Sequence, residues 1–264
     1  MGTPKGATAY GVAGTLDHTI IRTLARRAED LGFSSFWVND LPGGEGLAGL
    51  AAAAEVTSRI RLAVGVIPLD RQSPQHIAMR IEELALPIDR VLVGVGSGDA
   101  RGGLDRVRQG VADLRSMTAA RIAVGALGPK MCALSGECAD AVLLNWLVPA
   151  YIPESLERVN EGARAAGRLE PERIGYVRVA EAAGKVPLEA EAARYVSYPA
   201  YAANFARMGV QAIDTTILGS GGESIRDGLR PYQAELDEIV ARCIAATESV
   251  DAYLRVMEAA APYR

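Results

Sequence analysis

The sequence predicts one parallel α/β barrel, a (β/α)8 TIM barrel, and three observations carry that expectation. Short apolar runs alternate with segments of helical period from end to end. Four of those runs, LAVGVI, VLVGVG, IAVGAL and AVLLNW, are continuously apolar, as strands buried on both faces are. The chain has 264 residues, close to the roughly 250 typical of one such barrel.

Strands are expected at Ala7–Ala13, Ser35–Asn39, Arg61–Pro68, Arg90–Gly96, Arg121–Ala126, Ala141–Trp146, Ile174–Ala180 and Glu238–Ile244. Units in this number suit a closed barrel, whereas an open sheet usually uses fewer. The intervening segments show helical stripes: Ile20, Leu24, Ala28 and Leu31 in one, Ile77, Ile81 and Leu84 in another, and Leu104, Val107, Val111 and Leu114 in a third. Ser73-Pro74 and Gly128-Pro129 place proline at a first helical position. Gly32 and Gly167 stand where glycine ends a helix, the second after a helix expected from Glu154 to Ala166. The stretch 185–232 is less regular. It reads as the seventh helical region enlarged by an excursion, so residues 1–264 are taken as one domain.

Composition narrows the function classes. Hydrophobic residues make up 49% and charged residues 23%, enough for a sizeable core. The net charge of −4, without a Lys/Arg run and with only 5% aromatics, gives nucleic acid no footprint. Cys132, Cys138 and Cys243 form no CxxC pair, so reduced thiols in a cytoplasmic protein are expected. Met1 to Tyr10 lacks the pattern of a signal peptide, and no apolar run reaches the length of about 20 residues that spans a bilayer.

In such a barrel the residues that follow each strand share one pocket. Asp40, after the second strand, is either an acid, base or ligand contact, or a cap before the Pro42-Gly43-Gly44 turn. The fourth strand runs out through Gly94-Val95-Gly96-Ser97-Gly98-Asp99. Gly96 and Ser97 there could bring backbone close to a flat ligand, or simply form a tight turn. Asp99 in the last position breaks GxGxxG, so the dinucleotide fingerprint fails. After the fifth strand, Ala126, Leu127, Gly128, Pro129, Lys130 and Met131 open a helix. Free amides and a lysine at a helix start suit a phosphate, and an ordinary turn is the plainer reading. His18 follows the first strand and could move protons, though a surface position in a first helical turn is simpler. His76 reads as structural. No carboxylates cluster with the histidines at ligand spacing, so no metal is expected, and no GxSxG elbow suggests a hydrolase.

Several ordered motifs resemble the luciferase-like monooxygenases and their deazaflavin-dependent relatives. They are AEDLGF with FWVND (Ala28–Phe33, Phe36–Asp40) and TSRIRL leading into Gly65-Val66, with Arg71 and Pro74 after it. VLVGVGSGD, VGALGPKM, Ala139-Asp140-Ala141 and Ala166-Gly167-Arg168 continue the match. The resemblance covers about residues 6–168, with a weaker tail around 196–209 and the last strand.

The resemblance implies a barrel that binds coenzyme F420 or, alternatively, FMN, with similarity to methylene-tetrahydromethanopterin reductases and F420-dependent dehydrogenases favouring F420. Asp40 would lie beside the ring, Asp99 would serve proton transfer, Gly65-Val66 would form a cis peptide backing the ring, and Ala126 to Met131 would hold the phosphate. The activity implied is hydride transfer between F420 and a small organic substrate. Rivals are an FMN-dependent monooxygenase fed by a partner reductase, a non-catalytic flavin- or deazaflavin-binding protein, and an unrelated barrel enzyme acting on a phosphorylated metabolite. A homodimer is implied as well. Three departures stand out: Leu41 where the family often has His, Asp89-Arg90 for the usual Gly-Arg, and a short connection from Asp99 to Leu104.

Overall fold

The computed structural model describes residues 5–98 and 102–262. Among the described residues there are nine strands: β1 (Ala7–Ala13), β2 (Ser35–Asn39), β3 (Arg61–Pro68), β4 (Val91–Gly96), β5 (Arg121–Ala126), β6 (Ala141–Asn145), β7 (Glu172–Glu181), β8 (Ile217–Gly219) and β9 (Glu238–Cys243). All pairings are parallel, in the order β6-β5-β4-β3-β2-β1-β9-β7, and β6 pairs with β7 to close the ring. The result is an eight-stranded parallel barrel with helices between strands. Its helices are α1 (His18–Leu31), α2 (Gly46–Ala54), α3 (Pro74–Glu83), α4 (Gly103–Met117), α5 (Pro129–Cys138), α6 (Ile152–Ala165), α7 (Lys185–Val196), α8 (Pro199–Met208), α9 (Gly222–Gln233) and α10 (Val250–Ala260).

Most expected strands lie where the apolar runs placed them, and the differences have local causes. Arg90 belongs to a short 3-10 turn before β4. Its guanidinium donates to the Thr57 and Ile60 carbonyls at 2.8 and 2.9 Å, which ties that turn to the loop before β3. Trp146 lies beyond β6 because its φ of 51° turns the chain out of the strand. The stretch 185–232 holds α7, α8, α9 and the short strand β8, which periodicity did not show. β6 leaves β7 at Tyr176, and β8 takes up the vacated edge at residues 179–181. Three residues are too few to display a period.

Helix ends follow the expected chemistry. Asp17 accepts from the Thr19 amide at 2.7 Å and caps α1, and Gly32 ends that helix in the left-handed region. Ser73 caps α3 with Pro74 at its first position.

Two glycines let α5 and α6 touch backbone to backbone. A Cβ on Gly136 would lie 1.9 Å from the Val159 oxygen, and one on Gly162 would lie 1.8 Å from the Ala133 oxygen. In a free helix Gly→Ala stabilises by about 1 kcal/mol. Here the sign should reverse: Gly162→Ala is expected to lose about 2 kcal/mol through overpacking. A lower denaturant midpoint at unchanged slope checks it.

Inward-facing residues recur every second position along the strands and stack in layers, as barrels require. The middle layer is apolar and includes Ala9, Trp37, Ala63, Leu92, Ala123, Ile174 and Val240. The floor, at the strand starts, is ionic. Arg61 bonds both oxygens of Glu172 at 2.8 Å and reaches Glu238 at 2.8 Å, and Arg121 meets Glu172 at 2.9 Å. Glu238 is fully buried and also accepts from Ser34, Ser35 and the Trp37 indole.

Candidate active site

At the C-terminal mouth the inward positions become polar again. Asn39, the last residue of β2, donates to the Gly65 carbonyl at 2.9 Å. Its own oxygen accepts from the Tyr176 hydroxyl and from Arg242 Nε, the latter at 2.9 Å. Arg178, two positions beyond Tyr176 on β7, donates to Asn145 and, at 3.0 Å, to Glu191 of α7. Its guanidinium carbon lies 3.8 Å from the centre of the Trp146 ring, a cation–π contact. The seventh helical region thus lays a carboxylate over the mouth. Tyr195 of α7 and Phe205 of α8 pack against Trp146 along the same rim, and Tyr201 of α8 packs on Tyr195.

The electrostatics follow from burial. Burial by itself would raise the Glu191 carboxyl, but the Arg242 and Arg178 guanidinium groups outweigh it and hold it below its ordinary range. Burial pushes the Tyr176 hydroxyl up to about 12, so it is neutral at pH 7.

Asp40 comes next to this network and is 5% exposed. Its carboxylate accepts from the Gly46 amide at 3.1 Å, Arg71 at 2.9 Å and Gln72 at 3.1 and 3.2 Å. Burial raises its pKa, and those donors only partly reverse the shift. Its oxygens are engaged in pinning the β2–α2 connection to the end of β3. Leu41, after it, is half-buried.

The Gly65–Val66 peptide is cis, and the β3–β4 register shifts between Val64 and Ile67. Val66 is half-buried and rests on the apolar plug inside the barrel. Glycines make the room it occupies. A Cβ on Gly96 or on Gly125 would come within 2.9 Å of a Val66 methyl. Gly94 lies deeper, where a Cβ would sit 2.4 Å from the Val64 carbonyl oxygen.

Beyond β4, Ser97 is half-buried and donates to the Gly98 carbonyl at 3.0 Å. Asp99 lies outside the described residues. Beyond β5, Ala126 is buried, Leu127, Gly128 and Met131 are half-buried, and Pro129 and Lys130 are exposed. Gly128 precedes α5 with nothing within 4 Å of where its Cβ would be. Arg207 of α8 joins this edge, donating to the Leu127 carbonyl at 3.2 Å and to Asn204 at 2.7 Å.

His18 is exposed at the first position of α1, within electrostatic reach of Asp17 and Glu55. No hydrogen bond or ion pair links it to the mouth network among the described residues. The thiols are free: Cys132 and Cys243 are buried, Cys138 is half-buried, and burial raises all three. No group of three or more potential metal ligands gathers among the described residues. Nor is any described helix long and apolar enough to cross a membrane.

Sequence reading missed Asn39, Tyr176, Arg178, Arg242 and Glu191. A signal existed for the arginines: a charged residue at an inward position near the C-terminal end of an otherwise apolar strand. None existed for Glu191, whose place depends on how α7 folds back.

A parallel barrel with a polar mouth, a glycine-lined wall and a bulged third strand defines the class of scaffold, and comparison with known proteins narrows it. Residues 3–113 match the family model described as luciferase-like monooxygenase. A 5,10-methylenetetrahydromethanopterin reductase of Methanolobus tindarius is 26% identical over 186 residues, a stretch covering 57% of this chain and 57% of that protein's length. An F420-dependent secondary alcohol dehydrogenase, solved with an F420–acetone adduct, superposes with a TM-score of 0.74 at 17% identity, over 98% of both chains. The oxygenating constituent of 3,6-diketocamphane monooxygenase from Pseudomonas putida, solved with FMN, gives 0.71 at 14% identity over 97% of both. The luciferase-like resemblance read from the sequence is borne out. Relatives of this kind are oxidoreductases and monooxygenases that use a deazaflavin or flavin.

Proposed function

We propose that the chain is an F420-dependent oxidoreductase that moves a hydride between the deazaflavin and a small organic substrate. The observation that carries this reading is the half-buried Val66 at the barrel mouth, flanked by Gly96 and Gly125, which have no side chains. Such a wall fits one face of a flat ring, and the open space at Gly128 with Lys130 beside it fits a phosphate. The similarity to F420-dependent proteins supports the deazaflavin over FMN. A flavin monooxygenase is the second reading, favoured by the likeness to an FMN-bound protein.

When bound, the cofactor supplies the two-electron chemistry, and the protein supplies binding, orientation and proton control. Asn39 holds the Gly65 carbonyl and so fixes the base of Val66. Gly65, Val66, Gly96 and Ser97 would line the ring's side of the mouth. Ala126, Leu127, Gly128, Pro129, Lys130 and Met131 would hold the phosphate end. Asp40, its oxygens already engaged, serves this reading as a positioning residue beside the ring. Proton transfer falls to Asp99, with His18 left at the surface. The proposal takes residues 1–264 as one domain of a cytoplasmic homodimer, and light scattering of the purified protein checks the dimer.

The test is a fluorescence titration with F420 and, separately, with FMN. Binding of F420 in preference to FMN, followed by bleaching of the deazaflavin with an alcohol substrate, is the expected result. Preference for FMN favours the monooxygenase, and binding of neither removes both readings. Asp99→Asn should then lower turnover by about 100-fold or more, the usual contribution of a general acid or base, at nearly unchanged cofactor affinity. Unchanged turnover removes Asp99 from the mechanism.

A further inference from the structure

The mouth network contains more positive than negative charge. Arg178 and Arg242 have side chains 2% and 7% exposed, and Glu191 is the one carboxylate within 4.0 Å of either among the described residues. Glu191 bonds Arg178 Nε at 3.0 Å but stands 3.9 Å from Arg242 Nη2, beyond hydrogen-bond length. Nearby polar groups do not supply the missing charge. Asn39 and Asn145 are neutral amides, and Tyr176 holds its proton at pH 7. Glu181, at the end of β7, faces Arg255 at 3.8 Å, and Arg194 adds further positive charge beside Glu191. Two buried guanidinium groups therefore share one carboxylate. Arg242 donates to neutral acceptors, the Asn39 amide and the Cys243 carbonyl, so among the described residues this buried cation has no carboxylate in hydrogen-bond contact. A forked guanidinium matches a planar oxyanion.

From this geometry we propose that Arg178 and Arg242 form an anion subsite that receives a carboxylate of the substrate. Glu191 acts there as a resident competitor that closes α7 over the mouth when no acid is bound. The subsite is joined to the Val66 wall through one side chain, since Asn39 bonds both Arg242 and the Gly65 carbonyl. A carboxylate held by the arginines would put the adjoining carbon of the substrate on the Val66 side of the mouth. This inference rests on the barrel mouth being the substrate site, as in the proposed function, and it narrows the substrate class from small organic molecules to small organic acids.

The test uses pyruvate and acetone, which differ by a carboxylate in place of a methyl group. Binding to the purified chain is read by calorimetry and by the fluorescence of Trp146, which lies against Arg178. Wild type is expected to bind pyruvate at least tenfold more tightly than acetone. Arg178→Gln should remove that preference. Glu191→Gln should increase it several-fold, because the competing carboxylate is gone. The two variants change affinity in opposite directions, which loss of structure does not do. If Arg178→Gln fails to fold, Glu191→Gln decides alone, and weaker or unchanged pyruvate binding overturns the proposal. Equal binding of pyruvate and acetone by wild type also overturns it. So does a result in which the variants alter only the affinity for reduced cofactor, which would assign the charge to the ring. A pyruvate preference in a protein that binds neither F420 nor FMN supports the subsite while ending the proposed function, so the two failures are distinguishable.

Discussion

Glu238→Ala is expected to cost about 3–5 kcal/mol, the range for removing one partner from a buried ion pair. The carboxylate at the barrel floor is fully buried and gathers Arg61, Ser34, Ser35 and the Trp37 indole. Its loss leaves the Ser35 hydroxyl and part of a guanidinium without their acceptor in a place closed to bulk water, while the Ser34 hydroxyl keeps the Thr8 carbonyl and the indole N–H keeps Ser35. Arg61 keeps Glu172, which limits the damage on that side. Chemical denaturation reads the loss directly. The double variant Glu238→Leu with Arg61→Met should lose less than the sum of its parts, because it removes the charges together. A single-variant loss under 1 kcal/mol would show that the floor is not held by this pair.

The second large effect concerns the mouth. Gly125→Val should weaken cofactor binding by about ten- to a hundredfold, the equivalent of roughly 1–3 kcal/mol of overpacking. The added Cβ would start 2.9 Å from a Val66 methyl, and Val66 is β-branched with little rotamer freedom to yield. The displaced side chain would move into the space assigned to the ring. The same kind of change at Gly94 meets a backbone oxygen at 2.4 Å, so Gly94→Ala should lower stability rather than affinity. Titration of both variants with F420 or FMN, beside a denaturation curve for each, separates the two effects. Unchanged affinity in a folded Gly125→Val protein would move the ring away from Val66.

Much of the barrel was legible because its causes are local. Apolar runs marked the eight barrel strands within a residue or two, and four of the runs are continuous, since a strand covered on both faces needs apolar residues on both. Serine, proline and glycine marked helix ends because capping and the left-handed conformation are decided within a few residues. β8 was not legible, being short and placed by an edge that β6 leaves open.

The candidate site divides along the same line. Val66, Gly96 and Gly128 could be singled out as candidates because each belongs to a motif that is continuous in sequence. Asn39, Arg178, Arg242 and Glu191 were not found, because they come from β2, β7, β9 and α7 and meet only once the ring of strands closes.

The amino-acid order by itself thus determined the strand and helix pattern, the closed parallel class and the glycine positions at the mouth. Only the tertiary structure decided which inward-facing polar groups share one buried space and how their charges balance. Alternation along a strand tells which residues face inward, but not which residue of another strand stands opposite, and charge balance is set by that distance.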